Sequence, residues 1–176
     1  METEKKQETE IARSALERLL DLMEIKADVV PVEEAPPDES PDEEAPLGNA
    51  ADTTSVISFD VQGDDLGILI GRRGQTLASL QYIVRLIVGH QAQVWLPIVI
   101  DIAGYKKRRN ESLQALAWRM AEQVKSQRMP FALEPMPAFD RRIVHLTLAD
   151  HLDVTTQSSG EGESRRVVII PKEQFR

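Results

Sequence analysis

A formal net charge of −8 over 176 residues speaks at first against a polyanionic ligand, and the absence of any cysteine excludes disulfides and thiolate metal sites. Residues 33–52 reverse the first inference. They hold eight carboxylates (Glu33, Glu34, Asp38, Glu39, Asp42, Glu43, Glu44, Asp52) and no Lys or Arg, leaving 21 basic against 21 acidic residues elsewhere. From Thr53 onward 16 basic and 13 acidic side chains give +3, and a near-neutral body with local basic patches can take a polyanion.

The stretch from Met1 to Lys6 lacks the apolar core of a signal peptide, and no run reaches membrane-spanning length, so a soluble, cytoplasmic protein is expected. Ile11, Ala15, Leu16, Leu19, Leu20, Leu22 and Met23 recur at near-helical spacing and predict an amphipathic helix over 8–25. Ala27 to Val32 reads as a strand that Pro31 and the acidic tract end. With Pro36, Pro37, Pro41 and Pro46 among its carboxylates, 33–52 reads as a disordered insert. An alternating strand follows over 54–61, then the helix-start signal Asp64-Asp65 and the apolar turn Leu66 to Ile70. Gln75 to Val88 carries helical spacing again, and the β-rich run from Val94 to Ile102 holds a strand at 97–102.

Gly104-Tyr105 marks a second boundary. Lys106 to Gln127 reads as a long helix on Leu113, Leu116, Ala117, Met120, Ala121 and Val124. Its basic start, Lys106 to Arg109, opposes the helix dipole, a local cost that suggests another use. A short strand from Phe131 to Glu134 lies among Pro130, Pro135 and Pro137, and a helix follows from Asp140 to Asp150, with Phe139, Ile143, Leu146 and, as a further candidate, Val144 turned inward. The end is a hairpin, Val154 to Ser158 and Arg165 to Ile170 around Ser159-Gly160-Glu161-Gly162. The fold class is therefore α+β. A type II KH-like domain, helices on a small three-stranded sheet, spans 1–32 and 53–103 around the insert 33–52, and a small α/β unit follows over 104–176.

Gly71-Arg72-Arg73-Gly74 joins two helices and leaves backbone N–H groups accessible at the start of the second, with two arginines between the glycines. A helix N-terminus, bare amides and fixed positive charge together make a phosphate cradle. The flanking pattern is the one with which KH modules clamp a four-nucleotide single strand. Dinucleotide and Walker motifs are absent. In Arg141-Arg142-Ile143-Val144-His145, Arg141 and His145 share a helical face, which suits a phosphate or a base edge but equally suits ordinary structural partners. Arg165 and Arg166 can add charge to the same patch. Ile68, Leu69, Ile70, Ile98 and Ile100 are groove candidates, with core packing as the plainer reading. A metal site or acid/base pair from His145, Asp150 and His151 is disfavoured, because six residues separate the histidines and no carboxylate cluster accompanies them. His90 reads as a loop residue.

Taken in order, Ile70 to Leu77, Ile100 to Tyr105 with Arg108-Arg109, Arg141 to His145, and Val154 through Gly160-Glu161-Gly162 to Ile169 resemble the bacterial Jag (SpoIIIJ-associated, KhpB) family. That family joins a KH domain to an R-three-H domain named for Arg-x-x-x-His. The resemblance implies a cytoplasmic RNA-binding protein in which both modules engage single-stranded RNA; the residues leave single-stranded DNA open, and the expected protein is non-catalytic, without metal, cofactor or small-molecule substrate. It also implies a role in post-transcriptional regulation tied to cell shape, division or sporulation, and a small single-KH protein as partner. Gly71, Arg72, Arg73, Gly74, Gln75 and Thr76 would form the KH contact, and Arg141, Arg142, His145, Arg165 and Arg166 the second. Many members carry an extra N-terminal domain on a long linker. This sequence opens almost at the KH helix, which puts in doubt any role resting on that domain.

Two rival classes are a protein-interaction adaptor of the division or envelope machinery with incidental nucleic-acid binding, and a small hydrolase or nuclease using His145. The acidic tract either screens the basic patches or is an inert loop; unchanged RNA affinity at low salt after deleting 33–52 would reject screening.

Overall fold

The structure, a computed structural model, describes residues 2–32, 56–93 and 96–172. The acidic tract, the start of the expected strand at 54 and the Val94-Trp95 part of the β-rich run lie outside them. The chain divides into two compact units, Met1–Tyr105 and Lys106–Arg176.

The first unit runs α1 (Glu2–Leu22), β1 (Asp28–Val32), β2 (Ile57–Gln62), α2 (Gly67–Ile70), a 3-10 turn (Arg72–Gly74), α3 (Gln75–Ala92) and β3 (Ile98–Ile102). Its sheet has the order β1-β2-β3. β1 is antiparallel to β2, with Val30 opposite Asp60, and β2 is parallel to β3, with Phe59 opposite Ile100. Strand alternation sends Ile57, Phe59, Val61, Ile98, Ile100 and Ile102 to one face, all of them buried. That face meets Ala12, Leu16 and Leu20, four apart on α1, and Leu77, Leu80, Val84 and Val88 on α3. Pro31 does not end β1. It sits inside the strand opposite Phe59, which an edge strand tolerates because one side of its ladder needs no N–H.

The second unit runs α4 (Tyr105–Gln127), whose first residue still belongs to the first unit, then β4 (Phe131–Ala132), α5 (Ala138–Thr147), β5 (Val154–Ser159) and β6 (Arg166–Pro171). Its antiparallel sheet has the order β4-β6-β5. Leu113, Ala117, Ala121 and Val124 of α4 and Val144 and Leu148 after them close over Val154, Val167 and Ile169. β4 is shorter than expected. Pro135 cannot extend a ladder, and the segment is held instead by the amides of Leu133 and Met136, which donate to the carbonyls of Val167 and Arg165 at 2.9 and 3.1 Å.

Candidate nucleic-acid interface

The glycine loop is built from three departures into left-handed backbone within four residues. Gly71 has φ 67° and ψ −169°, Arg73 has φ 56° and ψ 30°, and Gly74, the residue before α3, has φ 82° and ψ 8°. Gly71 is closed to any larger residue, and Gly74 is strained and tight for one. A Cβ on Gly71 would overlap the Thr76 side chain, and one on Gly74 would lie 3.2 Å from the Tyr105 ring and from its hydroxyl. Arg73 adopts the same region with a side chain, at a cost of roughly 1–2 kcal/mol. The loop is thereby reduced to one 3-10 turn leading straight into α3, with the Gln75 amide donating to the Arg72 carbonyl.

No side chain caps α3, and its first turn holds no acidic residue. The amides of Thr76 and Leu77 therefore stand at the positive end of an 18-residue helix without an intrahelical acceptor. Arg72 and Gln75 are exposed beside them, and Arg73 is half-buried. Thr76 is turned toward Gly71, so its hydroxyl helps shape the loop. Of the groove candidates, Leu69, Ile98 and Ile100 are core residues, Ile70 is half-buried and Ile68 is 67% exposed. Core packing, the plainer reading, accounts for Leu69, Ile98 and Ile100, and a one-turn α2 must bury Leu69 to stay attached.

Arg141 and His145 do share one face of α5, and that face is laid on β5. His145 Nδ1 is 2.7 Å from Thr156 Oγ1 and Nε2 is 2.9 Å from Ser158 Oγ, while Arg141 Nη1 donates to Ser158 Oγ at 3.3 Å. Burial first, then the Arg141 charge, pushes the His145 pKa below its ordinary value, so the neutral ring donates through one nitrogen and accepts through the other. Arg141 Nε is buried and makes no hydrogen bond. Arg142 is exposed. Arg166 pairs with Ser159, not Ser158, which places it on the opposite sheet face from Thr156 and Ser158; it donates to the Ser164 carbonyl instead. Arg165, just before β6, is exposed. The structure thus brings Arg141 and His145 together with two strand hydroxyls and leaves Arg166 on the other side.

The inward set expected for α5 changes in one respect. Val144 is fully buried and Leu146 is 59% exposed, since docking His145 on the sheet fixes the rotation of the helix. His90 lies in the last turn of α3 rather than in a loop. His151 is separate from His145; its Nδ1 accepts the Asp153 amide at 3.2 Å and its ring tilts against Trp118.

One pair escaped the sequence reading. Asp140, 5% exposed, accepts from Arg109 Nη2 at 2.7 Å and Nε at 3.1 Å, tying the basic start of α4 to the first turn of α5. The cost of basic residues at that helix start was the available signal, but nothing in the spacing names a partner 31 positions away.

Family models match two stretches of the chain: the KhpA/KhpB KH domain over residues 47–98, and the R-three-H domain over 111–171. A curated RNA-binding protein KhpB from Clostridium symbiosum is 41% identical over 125 residues, 71% of this chain and 56% of that protein. The Bacillus subtilis (strain 168) protein of the same name is 33% identical over 123 residues, 69% of this chain and 59% of its own length. The Lactiplantibacillus plantarum one is 35% identical over 103 residues, 58% and 32% respectively. The chain thus spans less than two thirds of the length of these relatives. With both modules matched in order, the chain belongs to the KhpB (Jag) family, a KH domain followed by an R-three-H domain.

Proposed function

We propose that this chain is a non-catalytic RNA-binding protein of the cytoplasm, gripping single-stranded RNA through the loop Gly71 to Thr76. The second unit would add contacts around Arg141, Arg142 and Arg165, in post-transcriptional regulation linked to cell division or the envelope. The observation that carries the reading is the loop itself: three left-handed residues deliver two arginines to an uncapped helix start free of carboxylates. The name shared by the curated relatives supports RNA as the polyanion. Each module alone binds weakly, and two on one strand gain from effective concentration.

The test is anisotropy with a labelled single-stranded RNA of about a dozen nucleotides, long enough to pass a four-nucleotide KH site. Arg72→Asp/Arg73→Asp, at exposed or half-buried positions, should keep its fold and weaken binding by at least about tenfold, roughly 1.4 kcal/mol. Equal affinity in the folded variant would remove the loop from the account. A duplex or single-stranded DNA of the same sequence, run alongside, reports which nucleic acid is preferred.

One observation favours the adaptor reading as a second. Tyr82, Ile83 and Leu86 stand 54%, 44% and 45% exposed along α3, an apolar strip that the first unit leaves uncovered. The small single-KH protein implied by the family resemblance is the partner this strip would take. Capture of that protein surviving nuclease treatment, together with no RNA affinity, would put the adaptor first.

A further inference from the structure

The residue standing against Gly74 is Tyr105, and the chain takes an unusual route to put it there. After β3, Ala103 (φ 48°) and Gly104 (φ 69°) turn the backbone through two successive left-handed positions. The turn starts from the sheet, because the Ala103 amide donates to the Val61 carbonyl at 3.0 Å. Tyr105 emerges half-buried against the first unit's core, with Cε1 and the phenolic oxygen both 3.2 Å from where a Cβ of Gly74 would stand. Gly74 is the hinge of the loop: its αL backbone converts the 3-10 turn into α3.

A glycine in that conformation is the residue with most freedom to leave it. A ring edge 3.2 Å from where its Cβ would stand restricts that freedom on one side. We propose that Tyr105 is a positioning residue of the RNA site, its ring backing Gly74 so that the α3 amides and the Arg72-Arg73 pair are held in the binding geometry before RNA arrives. This rests on the phosphate-binding reading of the loop and adds to it a residue 31 positions beyond Gly74 that the motif does not contain. A preorganised loop binds more tightly because less must be ordered on binding, while the number of phosphates it neutralises is unchanged.

Two substitutions and one label test this in the full chain. Tyr105→Leu should weaken the dozen-nucleotide RNA about fivefold, with the slope of log affinity against log salt the same as wild type. Tyr105→Phe, which keeps the ring, should stay within about twofold. The chain has two tyrosines, Tyr82 and Tyr105, so fluorotyrosine labelling gives two fluorine resonances, and Tyr105→Phe assigns them. The Tyr105 resonance should shift at RNA saturation and stay put in Arg72→Asp/Arg73→Asp. Wild-type affinity in a folded Tyr105→Leu, a loss in Tyr105→Phe equal to that in Tyr105→Leu, or a changed salt slope would each overturn the proposal. If Tyr105→Leu does not fold, the label decides: a Tyr105 resonance unmoved by bound RNA overturns it. Failure of the wild type to bind RNA is distinct, since it overturns the loop reading itself.

Discussion

His145 has a strand hydroxyl at each ring nitrogen, and that arrangement makes it first a structural residue of the second unit. Its lowered pKa means the folded state holds the proton less tightly than the unfolded chain does. Stability therefore rises with pH through the window below the ordinary histidine value of about 6.5 and is lost as pH falls through it. Urea denaturation of the full chain at pH 7.5 and pH 5.5 should show this loss, and His145→Gln should flatten it; an unchanged pH dependence in the variant would assign the loss elsewhere. Because Arg141 also bonds to Ser158, truncating either motif residue disturbs the fold along with any ligand contact. Exposed Arg142 is the cleaner probe: Arg142→Glu should lower RNA affinity several-fold while leaving the denaturation midpoint in place. Asp140→Ala removes the acceptor of the Arg109 clasp and should cost about 2–3 kcal/mol, read as a lower midpoint in the same denaturation experiment.

Among the elements, the loop and α3 behave as one piece. Gly71→Ala places a methyl into the Thr76 side chain at a φ of 67°, so the first unit should lose roughly 1–3 kcal/mol and RNA affinity with it, a joint change that circular dichroism melts and anisotropy on one sample would record. Much of this architecture was legible from spacing. Residues four apart marked the buried face of α1, and alternation in Ile57 to Val61 marked a strand with one side in the core. What spacing could not reveal was whatever depends on the opposing surface. Pro31 survives within β1 because β1 lies at the sheet edge, a fact of strand order. Leu146 is exposed because His145 finds Thr156 and Ser158 on β5, and the Arg109–Asp140 pair joins two helices through no periodic pattern. The glycine loop was readable as a motif, but Arg73's left-handed backbone was not, and neither was Tyr105 beside Gly74, which comes from 31 positions along the chain.

For the molecule as a whole, the charge distribution bears on the proposed function. The net −8 belongs to the tract 33–52, whereas the chain from Thr53 onward carries +3, concentrated in short arginine pairs at the two modules. A protein of this kind should bind RNA through few, localised phosphate contacts, not through a broad basic surface. The most direct measurement is the salt dependence of affinity for one single-stranded RNA, wild type against Arg72→Asp/Arg73→Asp, from about 50 to 200 mM monovalent salt. If about four phosphates are neutralised, log affinity should fall with log salt at a slope near −3 for the wild type and clearly less steeply for the loop variant. A flat slope in the wild type, or the same slope in both proteins, would contradict the claim that the glycine loop holds the RNA backbone.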